Sequence, residues 1–323
     1  MTDWSVIYSG VGLLSNACAL RVDATRVPAR RATWTITAVS IDHYENFPVA
    51  SVLCPPALRP AVAAIYWFAR TADDIADEGD ADKATRLADL AAYRSDLLAM
   101  LSASAPSERW PDVFGPLQRI LQTHALPTQL LLDLLSAFEQ DVVKQAYADR
   151  GELLDYCRRS ANPVGRLLLH LYGVRGGEQL RQSDAICTAL QLINFWQDLG
   201  VDTRRGRLYA PATDCERFAL PAPALLQARM ETPAVRALVR ELAAWARSLM
   251  HEGAPLVHAV PGRAGWELRL VVQGGLRILD KIEALNFATL STRPTLRWHD
   301  APLLLWRALW MRAPAVLVAG ESA

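Results

Sequence analysis

An all-α, single-domain helical bundle is the fold class this sequence predicts, and three observations predict it. Apolar residues recur at i, i+3 and i+4 nearly everywhere beyond about residue 55, the spacing of one helix face. Alternation of period two, the mark of a half-buried strand, is nearly absent. Gly and Pro clusters ("SASAPSERWP", "YGVRGGE", "ALPAPA") cut the pattern into pieces of helix length. Eight or so helices without strands bury their faces against one another, here between about residues 42 and 312.

Residues 1–41 precede this pattern. They hold a short apolar stretch ending in Ala-Cys-Ala, without the basic region of a secretory signal, and then an arginine-containing run. They read as a disordered or mis-started extension, with a targeting segment as the second reading. "LRPAVAAIYWFARTADDIAD" is helical from Pro60, a residue tolerated in a first turn. "KATRLADLAAYRSDLLAML", "PLQRILQTHAL", "TQLLLDLLSAFEQDVVKQAY" and "ELLDYCRRS" repeat the spacing. "SANPVGR" lies inside a helical pattern; Pro163 removes a donor and frees the carbonyl of Arg159, and Gly165 loosens the same turn, so a kink is expected. "DAICTALQLINFWQDLGVD", "PAVRALVRELAAWARSLM" and "WELRLVVQGGLRILDKIEAL" complete the bundle. "APLLLWRALWM" either packs on the bundle or touches a membrane surface. Residues 313–323 are expected to be a flexible tail. No run reaches the length of a transmembrane helix.

A chain of 323 residues, 51% hydrophobic, can bury a large core. Its 34 Lys+Arg balance its 34 Asp+Glu, so net charge argues neither for nor against nucleic acid and electrostatic function must come from local clusters; nucleic acid is not among the expected partners. The five cysteines are odd in number and contain no C-x-x-C pair. That argues against disulfides or zinc and for a reducing cytoplasm. H-E-x-x-H, G-x-G-x-x-G and Walker patterns are missing.

Two acidic clusters carry the chemistry. In "RTADDIADE", Asp73 and Asp77 are four apart, as are Asp74 and Glu78, with Arg70 preceding them. On a helix such pairs lie one turn apart and repel unless something positive lies between them. In "QLINFWQDLGVD", Asp198 and Asp202 repeat the spacing, with Gln191 and Asn194 on roughly the same face of an otherwise apolar helix. Polar groups aligned that way look into a shared cavity. Oxygen ligands on two faces suit Mg²⁺, which bridges one or two carboxylates to substrate phosphates. Arg204, Arg205 and Arg207 follow in "TRRGRLYAP", and guanidinium forks bind phosphate. A surface ion-pair network is the other reading. Trp67, Phe68, Phe195 and Trp196 flank the clusters and are read mostly as core packing.

"YWFARTADDIAD" and "QLINFWQDLGVDTRRGRLYAP" resemble the two aspartate-rich motifs of the squalene/phytoene synthase family. The resemblance extends through "DYCRRSANPVG" and "WELRLVVQGGLRILDKIEALNFATLSTRP", over nearly all of residues 42–298. "DHYENFPVAS" and "NFWQD" resemble most its hydroxysqualene synthase branch, of bacterial hopanoid pathways. The resemblance implies an isoprenoid-synthase bundle with a central cavity and a prenyl diphosphate substrate. Asp73, Asp77, Asn194, Asp198 and Asp202 would hold Mg²⁺. Tyr66, Arg70, Gln191 and the segment with His43, Tyr44 and Asn46 would contact the diphosphate or prenyl chain. Tyr156 falls on the family's active-site tyrosine, and the freed carbonyls at "SANPVG" would stabilise positive charge.

The implied reaction is conversion of presqualene diphosphate and water to hydroxysqualene and diphosphate, with no nicotinamide. Tyr44, Glu45 and Tyr156 are candidates for positioning the water. A presqualene diphosphate synthase would hand over the substrate, at the cytoplasmic face of the inner membrane. Condensing members commonly carry serine where this chain has Asn46 and arginine where it has Gln197, which favours action on one, already joined, diphosphate. Condensation of two prenyl diphosphates is the alternative; a non-catalytic scaffold of the same fold and an unrelated helical adaptor are remoter.

Overall fold

The computed structural model describes residues 53–228 and 230–311. The expectations for residues 1–41 and 313–323, and for His43, Tyr44, Glu45 and Asn46, lie outside the described residues. Thirteen α-helices are found among those described: α1 Arg59–Asp77, α2 Lys83–Leu101, α3 Pro111–His124, α4 Gln129–Val143, α5 Arg150–Ser160, α6 Asn162–Leu171, α7 Gly177–Gln197, α8 Leu199–Arg204, α9 Ala212–Arg217, α10 Ala222–Gln227, α11 Pro233–Gly253, α12 Gly262–Ala284 and α13 Ala301–Leu309. Two 3₁₀ turns, Ala254–His258 and Trp298–Asp300, precede α12 and α13. The bundle is all-α, as expected; the larger helix count comes from short helices that spacing alone does not separate.

Local chemistry sets the ends. Asp82, Asp149 and Thr232 cap α2, α5 and α11 by accepting from the N–H groups of Thr85, Glu152 and Val235, which satisfies donors a first turn leaves open. At the far end of α1, Arg86 donates to the carbonyls of Ile75, Gly79 and Ala81 at 3.2, 2.7 and 3.0 Å. The charged end of α1 is thereby closed by a cation.

Two cores form. One gathers α1 to α4 with one side of α6, around Phe68, Tyr93, Phe114 and Phe138; the other gathers α7, α11 and α12 around Leu190, Ile193, Leu242 and Val272. Helix α6 serves both, since Val164 and Leu167 face the first core and Leu169 the second.

The structure alters two expectations. "SANPVGR" does not bend one helix: α5 stops at Ser160, Ala161 caps it, and α6 restarts with Pro163 in its first turn, where a missing N–H costs nothing. The α7 pattern also does not run unbroken through Asp202. It ends at Gln197, and Asp198 joins it to α8. The one-turn relation survives, because the Asp202 N–H still donates to the Asp198 carbonyl at 2.9 Å. The "APLLLWRALWM" segment packs on the bundle through Leu304 and Ala308 of α13.

Candidate diphosphate and metal site

Both acidic clusters lie at helix ends, and one short segment joins them. Asp73 and Asp77 occupy the last turns of α1. Arg207 pairs with Asp77 through its guanidinium, while its backbone N–H donates to the carbonyl of Asp202 at 2.9 Å. Gly206, at φ 75°, lets the chain turn there. A glycine just past a helix end takes the left-handed conformation, and the next N–H closes on the carbonyl five residues back.

Arg70 explains the second carboxylate pair. Its guanidinium lies 2.7 Å from Asp74, 2.6 Å from Glu78 and 3.6 Å from Asp73. Asp74 and Glu78 hold the arginine at the rim, while Asp73 is buried. Burial pushes the Asp73 carboxyl up to about 7, with Arg70 opposing. Asp202 is also pushed up to about 7, by burial and then by the Asp198 charge. Asp74 rises to about 6, again chiefly by burial.

Asp198 is gripped by both prongs of Arg293, Nη2 lying 3.2 Å from Oδ2. Spacing gave no sign of this residue. The segment that carries it passes close over α8: Gly200 N–H donates to the Thr289 carbonyl at 3.3 Å, and a Cβ at Gly200 would sit 2.0 Å from the Leu290 oxygen. Gln197 turns its amide to the segment that carries Arg293, and its Oε1 atom has no hydrogen-bond partner within the protein. It is buried, and its amide donates to the Pro294 carbonyl at 2.5 Å.

Gln191 and Asn194 are buried, and the Gln191 Nε2 and Asn194 Oδ1 atoms have no hydrogen-bond partner within the protein. Such atoms cost stability unless a ligand satisfies them. Tyr66 is half-buried in the middle of α1, one turn before Arg70, edge-on to Trp67 at 5.1 Å. Trp67 is largely exposed, whereas Phe68, Phe195 and Trp196 are core.

Tyr156 is buried and donates to Asp141 Oδ2 at 2.8 Å. Burial, then the Asp141 charge, drives its phenol well above the ordinary range, so it stays a proton donor. Burial likewise pushes Asp141 up to about 7, opposed by the Tyr156 hydroxyl; the Asp73 charge raises it further and Arg207 opposes. Around this pair stand Tyr147, 5.5 Å from the Tyr156 ring, and Phe195 stacked on Tyr209 at 3.7 Å. Sequence reasoning missed Asp141, Tyr147 and Tyr209. One signal existed for Asp141: it falls on the apolar stripe of α4, three residues after buried Phe138 and seven after buried Leu134.

Between α6, α7 and α12 lies a small, largely apolar cavity of about 60 Å³, lined by Leu168, Leu169, Cys187, Leu190 and Val271 together with Ser183 and the buried Glu267. Ser183, Cys187, Gln191, Asn194 and Asp198 follow one another at steps of four, four, three and four, so the cavity and the acidic end share one face of α7. At 1.5 Å per residue, Leu190 is about 12 Å from Asp198 along the axis. An acidic end and an apolar stretch thus succeed one another along this face of α7.

The squalene/phytoene synthase profile matches residues 42–300. The chain belongs to the squalene/phytoene synthase family. It is 41% identical over 205 residues to the hydroxysqualene synthase of Zymomonas mobilis, covering 59% of this chain and 66% of that one. Thus it spans just under two thirds of that relative. Identity to the Rhodopseudomonas palustris hydroxysqualene synthase is 35% over 241 residues, 74% and 80% of the two chains. The solved squalene synthase HpnC from Alicyclobacillus acidocaldarius superposes with a TM-score of 0.69 at 37% identity, over 76% of this chain and 91% of that one.

Squalene/phytoene synthases generally use divalent metal ions. Among the described residues no three His, Cys, Asp or Glu side chains converge as a closed metal cage. The donors present are carboxylates and the unsatisfied amide oxygen of Asn194, an all-oxygen set. That fits Mg²⁺ held by one or two carboxylates and completed by substrate oxygens, and the expected holders, Asp73, Asp77, Asn194, Asp198 and Asp202, offer such donors.

Proposed function

We propose that this chain is a hydroxysqualene synthase, converting presqualene diphosphate and water to hydroxysqualene and diphosphate with Mg²⁺ and no nicotinamide. The carrying observation is Arg207, which joins the two aspartate clusters, pairing with Asp77 and donating its backbone N–H to the Asp202 carbonyl, and lines a polar pocket with Asp77, Glu78 and Arg205. When bound, Mg²⁺ neutralises charge developing on the leaving diphosphate. Arg70, Arg207 and Arg293 would offer guanidinium forks to the diphosphate, Arg207 and Arg293 exchanging Asp77 and Asp198 for it as those carboxylates take Mg²⁺. Gln191 offers its free amide N–H to the diphosphate or its ester oxygen. The rings of Tyr156, Phe195 and Tyr209 present π faces to the cyclopropylcarbinyl cation, and the apolar walls keep stray water from it. Tyr156, hydrogen-bonded to Asp141, is the group to orient the capturing water, with Asp141 to receive its proton. His43, Tyr44 and Asn46 complete the substrate contacts in this proposal. A presqualene diphosphate synthase supplies the substrate, in the cytoplasm at the inner membrane surface.

One observation favours the condensing alternative. Arg293 brings to Asp198 a guanidinium that position 197 does not supply, so Gln197 does not separate the two activities. The test is incubation with Mg²⁺ and either presqualene or farnesyl diphosphate, followed by lipid extraction and mass spectrometry. Hydroxysqualene from presqualene diphosphate alone is expected. Presqualene diphosphate formed from farnesyl diphosphate would assign the condensing reaction, and folded protein silent with both substrates would assign a scaffold.

A further inference from the structure

We infer that the outer face of α13, flanked by Trp266 and Trp298, is a docking surface for an anionic lipid bilayer. The residues α13 and its cap turn outward are Pro302, Leu305, Trp306, Leu309 and Trp310, all exposed and all apolar; Trp306, Leu309 and Trp310 are each 60% exposed and Trp298 79%. The inward residues Leu304 and Ala308 are apolar too. A surface helix ordinarily turns polar side chains to water, yet here the only charge, Arg307, points back to Asp280 at 2.6 Å. Trp266 joins the patch: Arg269 stacks on its ring at 4.7 Å and donates to the carbonyls of Ala308, at 3.2 Å, and Met311, at 3.5 Å. The Trp306 and Trp310 rings lie 5.4 Å apart.

Tryptophan favours the bilayer–water interface, where its body is apolar and its N–H wet. No described helix is long and apolar enough to cross a membrane, so α13 would lie in the plane of the surface. The rim decides the lipid. From Trp298 to Met311 the sole carboxylate is Asp300, buried and held by Arg277 at 2.8 Å and Lys281 at 2.5 Å. Arg297, His299 and Arg263 are exposed. An apolar face with a basic rim complements acidic headgroups. This deepens the inner-membrane contact proposed above, and its tests read binding rather than turnover, so either reading can fail alone.

The experiment is co-sedimentation of the full chain with phosphatidylcholine vesicles, with and without about 30% phosphatidylglycerol. Binding that needs the anionic lipid and weakens with salt is expected. Joint Trp306→Ser and Trp310→Ser substitution lowers binding about tenfold or more, with circular dichroism and turnover on detergent-dispersed substrate unchanged. Leu305→Gln weakens it in the same direction. Undiminished binding by these variants would overturn the inference. So would a wild-type dimer, unbound to vesicles, that the double variant dissociates, since a second copy then covers the face. Binding that appears only after deletion of residues 312–323 would assign the face to that tail.

Discussion

Asp73 is buried with its carboxyl pushed up to about 7, a costly placement that only a charged ligand repays. The folded state keeps this proton between roughly pH 4, where an unfolded aspartate loses it, and pH 7. Stability from this group is therefore present at low pH and lost as pH rises through that window. Asp73→Asn removes the liability: turnover is expected to fall about 10²–10³-fold, while thermal melting at pH 8 without metal stays level or rises. A merely structural Asp73 would lose stability instead. Tyr156 and Asp141 make a second residue-scale case. Tyr156→Phe deletes the 2.8 Å hydrogen bond and leaves Asp141 without that donor, so kcat falls while KM moves little, measured on presqualene diphosphate.

Between α8 and Arg207, Gly206 takes φ 75°, which side chains disfavour, with nothing within 4 Å of its absent Cβ. Gly206→Ala thus meets a conformational cost of about 1–2 kcal/mol rather than a clash. Arg207 then swings from Asp77, and protection of the fold by Mg²⁺ with inorganic diphosphate, read by thermal shift, is expected to weaken. The sequence was informative wherever a helix face repeats: the aspartate pairs, Gln191, Asn194 and the bundle itself all follow from spacing of three or four. It was silent where geometry comes from a turn or a distant loop. Arg293 reaches Asp198 from a segment with no periodicity, and Tyr209 enters the site because Leu208 pairs with Gln145 by a 2.8 Å backbone bond. Pro163 marked the turn at Ala161, although as a kink and not a break, whereas the break at Asp198 escapes pattern reading, since the apolar stripe continues across it.

Across the molecule, the site occupies the seam between two cores, with its head at three carboxyls poised near neutrality. Protons and Mg²⁺ compete for Asp73 and Asp202, both raised to about 7. The Mg²⁺ concentration for half-maximal turnover is therefore expected to climb as pH falls from 8 to 6, with excess Mg²⁺ restoring rate. A pH-independent metal requirement would contradict this arrangement. Head and tail should also separate by mutation. Cys187→Phe fills the small apolar cavity that Cys187 lines, and is expected to raise KM for presqualene diphosphate while leaving the thermal shift from Mg²⁺ and inorganic diphosphate intact.

The close approach at Gly200, where a Cβ would stand 2.0 Å from the Leu290 oxygen, reaches beyond this one chain. A fold relative with any side chain at that position must route its segment equivalent to 288–294 elsewhere and lose the guanidinium that segment delivers to the second aspartate cluster. One column of a sequence comparison thus becomes a sorting character. Glycine there announces an arginine arriving from far downstream, and its loss predicts that the diphosphate's counter-charge has been moved to another helix.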